Sequence, residues 1–251
     1  MISGYTCVRN GVELDYCFEL TVKSLLPVCE EVVVGYRDST DGTLDILLQM
    51  QKDDPRIRLF MQPWDNPKGD GKWWTRWINE VRPQLKHQTQ LMLDADEVLD
   101  DSEACHNKIQ EISKRGGAAY FSRLNFVKDA HHLIPHGHCI GHEVSRLGPS
   151  NLWMPSDEPY PKPLPIHSMS TRHSALRIFH YGFIRRMEAF YQKIIVGNTI
   201  WFGSVDKRFD KPRETNAEDW YLMVPWGRNL VPWPGKHPVI ARQWLAERGR
   251  L

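Results

Sequence analysis

The sequence predicts an α/β fold: a Rossmann-like, mostly parallel sheet with helices on both faces. Three observations lead there. Strand-type and helix-type segments alternate through the first 125 residues, the β-branched run EEVVVGY (30–36) suits a strand buried on both faces, and polar clusters follow the apolar strand ends. Ile2 to Val8 is the first strand, and Val12 to Leu26 carries apolar residues at helical spacing until Pro27 stops it. After EEVVVGY, the polar approach Ser39-Thr40-Asp41 opens a helix from Gly42 to Met50. The unit repeats with a strand at Ile57 to Met61, a helix at Trp73 to Val81 and a strand at Gln90 to Leu93, which ends at Asp94. Ligands of such sheets bind outside the carboxyl ends of the strands. Arg9-Asn10, Asp38 and Asp94-Ala95-Asp96 therefore share one functional edge.

Beyond residue 120 the pattern loosens. Tyr120 to Val127 and Ala175 to Phe183 read as strands, Arg186 to Ile200 as an amphipathic helix, and Val239 to Arg248 as a final short helix. The long Pro-, Gly- and His-rich stretch between the two late strands has the character of a substrate-binding lid. The sequence thus divides into 1–125, a ligand-binding α/β half, and 126–251, loops, a late strand and C-terminal helices, within one structural domain.

Composition supports a globular chain. With 251 residues, 41% of them apolar and 25% charged, the chain can bury a full core. No apolar run reaches the ~18 residues of a membrane span, and MISGYTCVRNG lacks the layout of a secretory signal, so the expected location is cytoplasmic. Five cysteines without C-x-x-C spacing argue against a disulfide framework and a zinc site. The net charge of +1 conceals a split: residues 1–120 hold 14 Lys/Arg against 20 Asp/Glu, and residues 121–251 hold 18 against 11. The basic half either suits an anionic ligand or neutralises the acidic half across their interface. The five histidines of HHLIPHGHCIGH (131–142) have irregular spacing, and neutral loop histidines are the simpler reading. Most of the ten tryptophans are expected in the core.

LMLDADEVL (91–99) carries the chemistry. Two carboxylates one residue apart at a strand end can share a hard divalent cation, whose other positions go to water and phosphate oxygens. Part of the acidic run has a second explanation, because Asp100, Asp101 or Ser102 can cap the following helix.

The ordered set SGYTCVRNG, VVVGYRDSTDGTLDIL, GDGKWWTRWINEV and LMLDADEVL resembles the nucleotide-binding half of family two glycosyltransferases of the GT-A fold, and RIFHYGFIRR (177–186) resembles their late histidine segment. The resemblance implies a nucleotide-sugar site formed by Val8, Arg9, Asn10, Asp38, Lys72, Arg76 and Asp94. It also implies a Mn²⁺ or Mg²⁺ site at Asp94, Asp96 and His180. Family members often follow the helix arginine with Asn, whereas Trp77 follows Arg76 here. The implied activity is inverting transfer of a hexosyl group, most naturally from a UDP-sugar, to a hydroxyl acceptor. Inversion calls for a carboxylate base, with Asp157 and Glu158 as candidates and Glu143 as their rival. The acceptor stays open between a saccharide or glycan and DNA carrying a hydroxymethylated base, which would have to be flipped out of the duplex. Two other functions remain: a non-catalytic nucleotide- or nucleic-acid-binding protein on the same fold, and a nucleotidyltransferase, for which Arg9-Asn10-Gly11 is a short match.

Overall fold

The computed structural model describes residues 1–70, 72–135, 143–150, 170–204 and 229–251. Among the described residues, ten strands form the sheet system. Strand β1 (Ile2–Val8) lies at the centre of a parallel block with β2 (Glu31–Arg37), β3 (Ile57–Gln62) and β4 (Thr89–Met92) in the order β4-β1-β2-β3. Helices α1 (Phe18–Leu25), α2 (Thr43–Asp53) and α3 (Trp73–Val81) join them. The register places Val8 opposite Tyr36 and Arg37 opposite Gln62, so the carboxyl ends of β1, β2 and β3 are level.

The predicted helix over Val12 to Leu26 is shorter than its periodicity suggests. Asn10 and Asp15 take left-handed backbone angles (φ 49° and 52°), which Asn and Asp tolerate better than other side chains. They turn residues 10–16 into a compact loop before α1 begins at Phe18. Asp15 is pinned there by the Arg186 backbone N–H (2.7 Å) and the Arg248 guanidinium (2.9 Å).

After the parallel block the sheet changes character. Strand β5 (Glu97–Leu99) follows the acidic run directly, and α4 (Glu103–Lys114) leads to β6 (Ala118–Val127). The short β7 (His132–Leu133) precedes β8 (Glu143–Pro149), which runs antiparallel between β4 and β6. The long β9 (Ser170–Phe183) pairs parallel with β6 and antiparallel with β5. Helix α5 (Met187–Phe202), β10 (Val231–Pro232) and α6 (Val239–Glu247) complete the described chain.

Strand side chains alternate between the faces, and two cores result. Ile2, Val32, Val34 and Leu91 pack with α1, α2 and α4 residues such as Val22, Leu47 and Ile109. Tyr5, Val33 and Met92 on the other face meet Trp73, Trp77 and Ile78 of α3 and Ile200 of α5. A third cluster joins Phe126, Phe179 and Tyr181 to Ala241 and Leu245 of α6. The four described cysteines, Cys7, Cys17, Cys29 and Cys105, are free and buried, as packing residues should be. Among the described residues, no helix is long and apolar enough to cross a membrane.

Ser102 caps α4 by accepting a hydrogen bond from the Cys105 N–H. The other two capping candidates have different partners. Asp100 pairs with Arg177 of β9 at 2.6 Å, and Asp101 accepts from the Val239 N–H at the first turn of α6. The acidic run after Leu99 therefore ties three elements together.

Candidate functional site

The backbone leaves β4 at Met92 and passes Asp94, Ala95 and Asp96 before β5 begins. A tight turn holds the run: the Glu97 N–H donates to the Asp94 carbonyl (2.9 Å), and the Asp94 N–H donates to the Glu97 carboxylate (2.9 Å). Strand β9 is registered so that His180 lies opposite Glu97, and its Tyr181 N–H donates to the Asp96 carbonyl. Two segments distant in sequence thus deliver Asp94, Asp96 and His180 to one cavity of about 250 Å³.

All three acidic side chains are buried, so each needs a counter-charge. Arg146 Nη2 of β8 bridges Asp94 Oδ2 (2.7 Å) and Glu97 Oε1 (2.8 Å), while Arg123 Nε of β6 lies 2.9 Å from Glu97 Oε1. Asp96 Oδ2 accepts from Arg185 (3.0 Å) and from Lys193 of α5 (2.8 Å). Its Oδ1 lies 3.5 Å from His180 Nε2.

These surroundings set the protonation states. Burial pushes Asp94 up to about 6, against the pull of Arg146. Burial also acts against ionised Asp96, but Lys193, His180 and Arg185 overcome it and hold Asp96 well below the usual carboxylate range. Burial and the neighbouring Arg123 lower His180 to about 4, so the imidazole is neutral at pH 7 and its ring nitrogens can bind a cation.

The fit to a divalent cation follows from the donors. Asp96 Oδ1 and His180 Nε2 converge as an oxygen and an imidazole ligand, and Asp94 Oδ1 accepts no hydrogen bond among the described residues. No group of three or more His, Cys, Asp or Glu among the described residues could hold a metal ion. What the described residues offer is the Asp96–His180 pair, two donors that suit a divalent cation whose other ligands would be water and phosphate oxygens, as is common for Mg²⁺.

Gly182 makes the convergence possible. A Cβ there would lie 2.3 Å from His180 Nε2 and 2.7 Å from Asp96 Oδ2. Gly182→Ala is expected to keep the fold, at a cost of about 1–3 kcal/mol for overpacking, and to separate Asp96 from His180. A thermal melt alongside a Mn²⁺ titration checks this: the variant should bind Mn²⁺ more weakly than the wild type.

The other end of the cavity is aromatic. Trp73, Trp74 and Trp77 of α3 line it with Trp64, their rings 5.2 to 5.9 Å apart, and the Arg9 guanidinium lies over Trp64 at 3.9 Å. Arg9 Nε also donates to the Asp38 carbonyl. The exposed Asp38 carboxylate stands beside Trp64 and accepts from its backbone N–H at 3.4 Å.

Several expected site residues are placed elsewhere. Val8 points into the core against Phe18, because Cys7 and Arg9 occupy the alternate positions that face the cavity. Asn10 uses its side chain on Thr40 and Glu13, stapling the ends of β1 and β2 together. Arg76 is exposed and pairs with Asp70, and Lys72 starts α3 at the surface. Neither lines the cavity, since α3 presents its tryptophan face there. Asp157 and Glu158 lie outside the described residues, as does the stretch 136–142 of the histidine-rich loop. Glu143 begins β8 opposite Ser122, and its side chain is likewise outside what the structure describes.

Arg123, Arg146, Arg185, Lys193 and Gly182 were not anticipated from sequence. A signal existed for two of them: Arg123 in YFSRLNFV and Arg146 in EVSRL interrupt strand patterns, and a charge on a buried strand requires an opposite partner.

No protein-family model matches this chain, and no curated protein matches it in sequence. Solved structures with a similar arrangement include S. aureus TarS 1–349 in complex with UDP-GlcNAc, at 17% identity and a TM-score of 0.37 over 56% of this chain and 36% of that one. Another is the mannosyltransferase PcManGT from Pyrobaculum calidifontis in complex with GDP-Man and Mn²⁺, at 17% identity and a TM-score of 0.38 over 49% of this chain and 35% of that one. Less than two fifths of either chain is covered.

Proposed function

We propose that the protein is a metal-dependent, inverting glycosyltransferase of GT-A type. It moves a hexosyl group from a nucleoside diphosphate sugar, most naturally a UDP-sugar, to a hydroxyl acceptor. One observation carries the reading: a single cavity at the carboxyl ends of β1 and β4 has an aromatic end with Arg9 and a charged end with Asp94, Asp96, His180, Arg123 and Lys193. A nucleoside diphosphate has the same polarity, with a flat base at one end and a polyanion at the other.

The residues divide the work. Trp64 and Trp74, the half-buried tryptophans of the lining, offer faces on which a base can stack, and Asp38 beside Trp64 can accept hydrogen bonds from it. Arg123 and Lys193 line the cavity where a diphosphate would lie and favour its negative charge. Asp96 and His180 would hold Mn²⁺ or Mg²⁺. When bound, that cation neutralises the charge that grows on the leaving diphosphate. Arg146 holds the Asp94 carboxylate through its Oδ2 and Glu97 holds the Asp94 backbone N–H, so the carboxylate is fixed in the wall of the cavity. In this reading residues 1–125 supply most of the donor site and 126–251 the acceptor side, with Asp157 or Glu158 as base and Glu143 as the rival. Acceptors with a free hydroxyl include glycans and hydroxymethylated DNA.

The purified protein with Mn²⁺ is expected to hydrolyse a nucleotide sugar slowly in the absence of acceptor, read as release of the nucleoside diphosphate. Binding of nucleotides without release from any donor would instead support the non-catalytic alternative, and tight binding to duplex DNA with a steep salt dependence would point that alternative to nucleic acid.

A further inference from the structure

We propose that Lys193 is a mobile counter-cation that keeps Asp96 closed to a divalent cation until a diphosphate draws its ammonium away, so that metal and donor bind together. The inference rests on the donor-site reading above and extends it to the order of binding.

The carboxylates of the acidic run are already outnumbered by the protein's own cations. Asp94, Asp96 and Glu97 face Arg123, Arg146, Arg185 and Lys193. A cation entering at Asp96 and His180 would meet the Lys193 ammonium 2.8 Å from the same carboxylate, and like charges at that range repel strongly. One of the two cations on Asp96 must move, and the two are held differently. The Arg185 guanidinium is fully buried and fixed by the carbonyls of Gly182 and Leu14. The Lys193 side chain is 30% exposed, lines the cavity and ends in a point charge on a flexible stem. The ring centroids of Tyr16 and Phe183 lie 5.5 and 5.8 Å from its ammonium, so a short swing leaves it against aromatic faces that attract cations.

The exchange conserves favourable contacts. Asp96 trades an ammonium for a divalent cation, and Lys193 trades a carboxylate for a phosphate oxygen. Neither half proceeds well alone, because metal without diphosphate strands the ammonium beside it.

The test is Mn²⁺ binding followed by electron paramagnetic resonance, with no ligand and with inorganic pyrophosphate, UDP or GDP. The wild type is expected to bind Mn²⁺ weakly alone and at least ten-fold more tightly with a diphosphate. Lys193→Met should bind Mn²⁺ at least ten-fold more tightly than wild type without ligand and lose most of the diphosphate enhancement. Lys193→Arg, which keeps the charge, should resemble wild type in the ligand-free titration. Unchanged ligand-free Mn²⁺ affinity in Lys193→Met, with the variant folded by circular dichroism, overturns the proposal, as does a Lys193→Arg variant that binds Mn²⁺ as tightly as Lys193→Met. Enhancement by pyrophosphate but by neither nucleotide would leave the Lys193 exchange standing and overturn the nucleotide-sugar reading instead.

Discussion

Asp96→Asn is expected to lower nucleotide-sugar hydrolysis by on the order of 10²-fold or more, the scale on which loss of a group that stabilises transition-state charge is felt. The substitution keeps the shape of the side chain and removes its charge. In the wild type Lys193, His180 and Arg185 keep Asp96 ionised far below neutral pH, so no ordinary assay pH mimics the variant. Asn can still accept hydrogen bonds from Arg185 and Lys193, but as a neutral ligand beside His180 it holds a divalent cation poorly. Steady-state release of nucleoside diphosphate at saturating Mn²⁺ measures the effect. Turnover within three-fold of wild type would remove Asp96 from the chemistry.

Glu97→Ala has the largest expected effect on stability. Glu97 is fully buried, and it receives Arg146 at 2.8 Å, Arg123 at 2.9 Å and the Asp94 N–H at 2.9 Å. Burial disfavours its charge, yet Arg146 and Arg123 still lower its pKa below the usual value. Removing it leaves two buried guanidiniums to share Asp94, a loss of about 3–5 kcal/mol. In a chain of this size that shifts the melting temperature by roughly 6–20 °C. The sign of the pH dependence follows: the contribution of Glu97 is present above the unfolded carboxylate pKa and fades as the pH falls toward the lower folded value. The difference between wild type and Glu97→Ala should therefore be full at pH 7 and shrink below about pH 4. Thermal melts at pH 7 and at low pH check both statements. A shift under 2 °C at pH 7 would mean that Arg123 and Arg146 do not depend on Glu97.

Much of the donor-side fold was legible because its strands are buried on both faces and read as unbroken β-branched runs. EVVVGYR forms β2 within one residue of its expected place, and WWTRWINEV forms α3 over the expected residues. The convergence of Asp94 and Asp96 with His180 was legible through motif resemblance, since local periodicity says nothing about which late strand pairs with β5. The orientation of α3 was not legible. Its sequence offers both an arginine and a tryptophan face, and only the packing of Trp73 and Trp77 against Tyr5 and Val33 turns Arg76 to solvent. The loop at 10–16 escaped because the helical spacing of Val12, Tyr16 and Leu20 continues across Asp15, whose backbone is left-handed. The basic ring around the acidic run escaped because its members come from β6, β8, the turn after β9 and α5, segments far apart in sequence whose meeting no local pattern reveals.

The central claim is that the end of β4 in LMLDADEVL binds the diphosphate of a nucleotide sugar together with a divalent cation. A thermal-shift panel of UDP-, GDP-, ADP- and CDP-sugars with and without Mn²⁺ tests it most directly, because a ligand that binds only the folded state raises apparent stability with the logarithm of its occupancy. At least one nucleotide sugar is expected to raise the melting temperature in wild type only when Mn²⁺ is present, and none should do so in Asp96→Asn. A wild-type protein indifferent to every donor at millimolar concentration, or an Asp96→Asn variant stabilised as strongly as wild type, would contradict it.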